Sequence, residues 1–200
     1  MALVAVLIAA VSFSAAVLVI RDVLSPARNT SVAPVSATGG PVEPPSSLPA
    51  APTRWLTDTV GFLSKKAAKQ LDSTLHRYER ETGHQVIVWI GDSTHGRPLE
   101  DYTLRMFNAW GVGRKGVNDG VAFFVFSMDH KVRLEVGSGL VKVLPDSTAA
   151  AVLHEVVLPR VARGENDEAL LQGVTVTLRL LGGEQWKSLE GAFKASFQRQ

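Results

Sequence analysis

Apolar residues recur every three to four positions at the start of the folded region, a pattern typical of an amphipathic helix. Ser64 precedes this run as a potential N-cap. Gly83 follows it, as a glycine often does at a helix C-terminus. The apolar positions of this first predicted helix are Ala67, Ala68, Leu71, Leu75 and Tyr78.

Shorter apolar runs rich in β-branched and aromatic residues predict three strands, at residues 85–90, 121–126 and 131–136. In the third run apolar and charged residues alternate, so one face of that strand is expected to be wet or to line a cleft. Between the first two strands, Pro98 opens a second predicted helix. Its apolar face consists of Leu99, Tyr102, Met106 and Trp110, with Phe107 alongside.

Two further helices are predicted after the strands. Asp146 or Ser147 is expected to cap the first, which should end before Pro159. The second begins at Asn166 or Asp167 and runs to about residue 181. Its length favours a helix, although a strand would also fit the alternation of Val174, Val176 and Leu178. The order α-β-α-β-β-α-α predicts an α/β fold, a three-layer αβα sandwich with a short mixed sheet.

The N-terminal part of the chain has a different composition. The first 20 residues carry no charge and match the thickness of a bilayer core, so residues 1–24 are interpreted as a transmembrane anchor. A cleaved signal peptide, with a small-residue site at residues 14–16, is the alternative. Residues 25–53 are rich in Pro, Ser and Ala and predict a linker. The folded domain is then expected at residues 54–183, followed by a C-terminal tail at residues 184–200 that could be helical.

Net charge and cysteine usage exclude several classes of function. The formal charge of +2, with both signs mixed along the chain, argues against nucleic-acid binding. The chain has no cysteine, which excludes disulfides, thiolate zinc sites and cysteine nucleophiles.

The charges beside the predicted anchor bear on its orientation in the membrane. Arg21 and Arg28 follow the apolar segment, and the positive-inside rule taken alone would keep the domain in the cytoplasm.

The stretch from Trp110 to Gly120 is the first candidate for chemistry, because it contains several glycines that leave backbone amides bare. Phosphate-binding loops leave a strand and enter a helix, whereas this one leaves a helix and enters a strand. It also matches neither of the common nucleotide-binding glycine patterns. A nucleotide site is therefore not predicted here.

Asp119 and Asp146 are the second candidate. The short connection between the second and third strands predicts an antiparallel hairpin, which places Asp119 beside residues 137–139 and the loop that leads to Asp146. Carboxylates together with backbone carbonyls are the ligands of calcium or magnesium. The alternative is purely structural: Asp before Gly is a common turn pair, and Asp before Ser is a common N-cap.

Several motifs together resemble the TPM domain, a family named for thylakoid lumen, photosystem and membrane-associated proteins. They are Asp58 leading to Leu63-Ser64, residues 81–86, Trp110-Gly111-Val112-Gly113 with Asp119-Gly120, residues 133–139, and Leu144-Pro145-Asp146. The resemblance covers roughly residues 55–181. It implies an αβα sandwich, usually exported or membrane-tethered, with an acidic divalent-metal site near Asp119 and Asp146. We add Asp58 as a third candidate ligand of calcium or magnesium.

The resemblance leads to two expectations of function. Some members of the family are described as acid phosphatases, and others as helpers in assembly or repair of membrane complexes. We expect a membrane-tethered domain in the periplasm or extracellular space that acts as a binding or assembly module, with a metal-assisted phosphatase as the alternative. One departure weakens the metal site: Val141 stands where the family often carries glutamate.

Overall fold

The protein is described here by a computed structural model that covers residues 48–198, with side chains to residue 182. The elements follow the order β1 (Leu56–Asp58), α1 (Lys65–Thr82), β2 (Gln85–Gly91), α2 (Leu99–Trp110), β3 (Gly120–Phe126) and β4 (Lys131–Val136). They continue with α3 (Asp146–Ala151), a π-helical segment (Val152–Val157), α4 (Leu158–Val161) and α5 (Asn166–Gln198). The predicted α/β sandwich is confirmed.

The predicted helix signals are confirmed at α1. The Ser64 hydroxyl accepts a hydrogen bond from the amide of Ala67, and Gly83 adopts the left-handed conformation that ends the helix. The side chains of Ala67, Leu71, Leu75 and Tyr78 are buried, as their spacing predicted.

Three details differ from the sequence prediction. The three-residue β1 was not predicted, because so short a run carries little periodic signal. Asp146 lies within the first turn of α3, after Pro145 at the cap position, and makes no side-chain cap. The helical path does not end before Pro159, because this proline lies in the first turn of α4, where its missing N–H is not needed.

The sheet has four strands in the order β1-β2-β3-β4. β1, β2 and β3 are parallel, and β4 runs antiparallel to β3. One face carries Val86, Val88 and Phe123 and is covered by α1 and the C-terminal helices. The other face carries Ile87, Trp89 and Phe124 and packs on α2. The sheet is therefore a buried middle layer.

The two crossover helices lie on opposite faces of the sheet. The connections β1-α1-β2 and β2-α2-β3 both step in the same direction across it. Two right-handed crossovers that step in one direction would place both helices on the same face. One of the two crossovers is therefore left-handed, an uncommon feature that sequence patterns do not indicate.

Residues just before the expected domain at 54–183 also contact its core. Leu48 packs against the α2 side of the core, and the Trp110 indole donates a hydrogen bond of 3.0 Å to the Pro49 carbonyl. At the other end, α5 continues through the predicted tail to Gln198. Within residues 48–198 no helix is both long and apolar enough to cross a membrane. The predicted anchor at residues 1–24 lies outside the described residues.

Candidate functional site

The loop between α2 and β3, residues 111–120, is called the glycine loop below. Gly111 and Gly113 have positive φ angles of 62° and 96°. A Cβ atom on Gly113 would lie 2.4 Å from the amide nitrogen of Gly120, so the two ends of the loop touch through their backbones. The glycines allow this close approach, and the loop closes tightly in front of β3.

Asp119 is the charged centre of the glycine loop and is only 1% exposed. Its Oδ1 accepts a 2.9 Å hydrogen bond from the Arg114 amide, and its Oδ2 accepts bonds from Nε (2.7 Å) and Nη2 of the Arg114 guanidinium. His84, at the end of α1, places Nδ1 3.2 Å from Oδ2. Burial raises the pKa of Asp119, but the bonds from Arg114 and His84 outweigh it and lower the pKa to about 2.

These contacts give Asp119 a structural role in the resting fold. Both carboxylate oxygens are occupied by donors from the same chain. The Arg114 side chain that contacts it is 56% exposed. A cation could reach the Asp119 oxygens only if Arg114 moved away.

A second glycine loop, residues 137–139, lies directly against the first, as the predicted hairpin required. The Gly137 amide bonds to the Gly120 carbonyl at 2.8 Å, and the Gly139 amide bonds to the Asn118 carbonyl at 3.0 Å. A Cβ on Gly137 would lie 2.1 Å from the Asn118 carbonyl oxygen. Asp119 is thus beside residues 137–139, and only glycine fits there.

The other two predicted ligands do not join Asp119. Asp146 is exposed at the start of α3 and makes no hydrogen bond or ion pair with the rest of the described chain. Asp58 ends β1 and accepts bonds from the amides of Val60, Phe62 and Leu63.

Strand register sets the distance between Asp58 and Asp119. Asp58 is level with Ile90 near the end of β2, whereas Asp119 precedes Gly120, which is level with Gln85 at its start. Five steps of about 3.3 Å along a strand separate these levels. Asp58 therefore does not share a site with Asp119. Between residues 48 and 182, no group of three or more His, Cys, Asp or Glu side chains could hold a metal ion.

An open cleft of about 610 Å³ lies between the C-terminal half of α2 and the two glycine loops. Its walls include Leu104, Phe107, Asn118, Ser138 and Val141. Val141, the departure from the family pattern, is 43% exposed. Leu104 is 50% exposed, so the cleft offers apolar surface beside polar groups.

Glu135 is the carboxylate that lines this cleft, and it was not among the predicted site residues. It is 7% exposed, and its Oε1 accepts bonds from Thr103 Oγ1 (2.6 Å) and Arg133 Nε (3.0 Å). The alternation of charged and apolar residues in β4 predicted a face that is wet or lines a cleft, and Glu135 is the charged residue of that face that lines it. Arg114 and His84 carried no comparable signal, since their roles depend on contacts across the fold.

A second carboxylate organises the opposite end of the sheet. Asp129, in the β3–β4 turn, accepts hydrogen bonds from Ser93 Oγ (2.9 Å) and from the amide and hydroxyl of Thr94 (2.7 Å each). The bonds from Thr94 are the main reason why the pKa of Asp129 falls to about 2. Asp129 thereby ties the turn to the loop that follows β2.

Comparison with known proteins gives a consistent result. The sequence profile of a family described as TPM domain matches residues 56–179. The solution structure of the N-terminal domain of a protein from P. gingivalis is similar, with a TM-score of 0.62 and 30% identity; the match covers 67% of this chain and 85% of that one.

Two other solved structures support the fold alone, because their identities are low. The N-terminal domain of the cg2496 protein from Corynebacterium glutamicum has a TM-score of 0.51 and 13% identity, covering 70% of this chain and 85% of that one. The BA42 protein from the psychrophilic bacterium Bizionia argentinensis has a TM-score of 0.53 and 16% identity, and the match covers 60% of this chain and 82% of that one. No curated protein matches the chain.

Proposed function

This chain belongs to the TPM domain family, and from that premise we propose that it is a membrane-tethered, extracytoplasmic binding or assembly module. The uncharged first 20 residues and the Pro- and Ser-rich segment after them support the tether. The family resemblance, which implies exported or membrane-associated members, supports the location. The partner in this proposal is a membrane protein complex.

The observation that carries the binding role is the cleft. Two of the charged side chains that line it, Arg114 and Glu135, are paired within the chain with Asp119 and Arg133 respectively. Leu104 and Val141 remain exposed at its walls. Exposed apolar side chains rimmed by paired polar groups are typical of surfaces that bind a protein partner.

Single-cysteine labelling tests the location and the surface together, because the chain has no native cysteine. We expect that Leu104→Cys and Val141→Cys, modified in intact cells with a membrane-impermeant maleimide-benzophenone, form the same photo-adduct with a membrane protein. Lys69→Cys, exposed on α1 across the sheet, is the matched control and should be labelled without forming that adduct.

Two results would contradict the proposal. Labelling of none of the three cysteines until the cells are lysed would place the domain on the cytoplasmic side. Equal adducts from all three positions would show that the cleft is not a preferred binding surface.

A metal-assisted phosphatase is the second candidate, and the contents of the cleft favour it. Lys115 lines the same cleft as Glu135, so a phosphate-binding cation and a potential acid–base carboxylate share one space. In this mechanism calcium or magnesium would polarise the phosphoryl group. Asp119, once released from Arg114, would hold the ion together with carbonyls of the glycine loops, and Glu135 would serve as the acid–base group.

Cation titration tests whether the domain binds calcium or magnesium, which is expected of the phosphatase and compatible with the binding module, and an activity assay separates the two candidates. A cation that binds only the folded state stabilises it by about 2.7 kcal/mol at a 100-fold excess over its dissociation constant, a rise in Tm of roughly 5–10 °C. The binding module predicts turnover of p-nitrophenyl phosphate at the background rate for both the wild type and Glu135→Gln. Turnover that requires magnesium or calcium and is lost in Glu135→Gln would instead establish the phosphatase.

A further inference from the structure

β4 forms one edge of the sheet, and its backbone is only half used. The odd-numbered residues of β4 lie opposite Phe126, Phe124 and Ala122 of β3. The next odd-numbered residue, Gly137, donates its amide to the Gly120 carbonyl, which shows that the odd-numbered residues are the ones bonded to β3. Backbone groups in an antiparallel pair point alternately towards and away from the neighbouring strand. The odd-numbered residues therefore bond to β3, and Val132, Leu134 and Val136 direct their amides and carbonyls to the edge.

These outward groups are available for another strand. Within the described residues, the backbones of Val132, Leu134 and Val136 make no hydrogen bond to another backbone or side chain. The side chains of Val132 and Leu134 are buried in the core and hold the strand in place. Six residues is the usual length of a strand, so the edge can support a regular ladder.

The charges on β4 determine which strand fits this edge. Lys131, Arg133 and Glu135 share the α2 face, because each lies opposite a residue of that face of β3. Charges on an edge strand normally prevent pairing, since like charges directly opposite each other are destabilising. A partner strand must therefore carry charges in a complementary order.

β4 of a second copy meets this requirement in one register. When Leu134 lies opposite Leu134 of the second copy, Arg133 of each copy faces Glu135 of the other across the two-fold axis. If each strand slides by one residue in one direction, Arg133 of one copy lies opposite Arg133 of the other. If each slides by one residue in the other direction, Glu135 lies opposite Glu135. Only the central register pairs outward backbone groups with each other while matching every facing charge.

We propose that two copies of this chain associate through β4, forming a continuous eight-stranded sheet about a two-fold axis through Leu134. This association is isologous, because the same strand serves both copies. The axis is perpendicular to the sheet, so both clefts open on the same side of the dimer. The interaction is independent of what the cleft binds.

Charge exchange at β4 tests the proposal on the full-length chain in a mild detergent. We expect the wild type to sediment as a dimer. Arg133→Glu should raise the dimer dissociation constant at least about tenfold, because it places glutamates opposite each other at two positions. The double variant Arg133→Glu/Glu135→Arg restores opposite charges and should recover the dimer. A monomeric wild type, or a dimer unaffected by Arg133→Glu, would overturn the proposal.

A thiol cross-link reports the register independently of the charges on β4. In this cysteine-free chain, a short bifunctional thiol reagent should join Leu134→Cys into a covalent dimer, because the Cβ atoms of two directly opposite residues lie about 5 Å apart, slightly beyond the spacing of a disulfide. Val136→Cys is the control, since its two copies would lie four residues apart along the strands, roughly 13 Å. Cross-linking of Val136→Cys but not Leu134→Cys would contradict the register.

Discussion

Gly137→Ala is expected to destabilise the domain by about 3 kcal/mol or more, the upper end of the range for overpacking. The new Cβ would lie 2.1 Å from the Asn118 carbonyl oxygen and 2.8 Å from its carbon. Both are backbone atoms held by the ladder between the two glycine loops, so neither can turn aside as a flexible side chain would. Urea unfolding of residues 48–200, followed by tryptophan fluorescence, measures the change in the free energy of unfolding.

Gly116→Ala is the matched control in the neighbouring loop. No atom lies within 4 Å of the Cβ it would add, but the residue has a φ of +80°. Its cost should be only that of a left-handed conformation, about 1–2 kcal/mol. Equal destabilisation by the two variants would show that backbone strain, and not contact between the loops, sets the requirement for glycine.

The second large effect is expected at Asp119. Asp119→Asn should lower the free energy of unfolding at pH 7 by about 2 kcal/mol, because the neutral amide loses the charged hydrogen bonds that Arg114 and His84 donate to the carboxylate. The pKa of Asp119 in the folded state is about 2, below the ordinary value of 3.8 for an aspartate. A carboxyl group whose pKa is lowered by folding stabilises the fold at every pH above its pKa in the unfolded chain. This stabilisation is lost as the pH falls from about 4 to 2.

The pH dependence distinguishes this ion pair from other causes of instability. The difference between the wild type and Asp119→Asn should shrink as the pH falls from 5 to 2.5, because the wild-type carboxylate becomes protonated. Asp129 titrates in the same range, but it is present in both proteins and cancels in the comparison. Asp146→Asn, an exposed control, should change stability by less than about 0.5 kcal/mol. A constant difference at every pH would contradict the role of the Asp119 charge.

Local patterns in the sequence were sufficient to predict most of the elements. The first helix is bounded by Ser64 and Gly83 as predicted, because capping depends on residues within one turn of the helix end. The alternation in β4 predicted both the strand and a charged face that is wet or lines a cleft, and Glu135 of that face lines the cleft. The hairpin placed Asp119 beside residues 137–139, because the short turn between β3 and β4 fixes which residues face each other.

Other features depend on contacts between distant parts of the chain. Pro159 would end an isolated helix, but a π-helical segment precedes it, and the helical path continues. The opposite faces of α1 and α2 follow from how each helix packs on the sheet, which periodicity does not specify. For the same reason the sequence could not show that Asp58 and Asp119 lie at opposite ends of the parallel strands.

The sequence by itself therefore determined the layers of this protein, the glycine loops and the position of Asp119. The tertiary structure decided what surrounds that carboxylate. The end of α1 brings His84 to Asp119, and the fold of the glycine loop turns Arg114 back onto it. Periodicity records which side chains are buried, whereas the partner of a buried charge depends on which distant segment approaches it. Asp119, which the sequence predicted as a cation ligand, forms an internal ion pair with Arg114, and Glu135 is the carboxylate that lines the cleft.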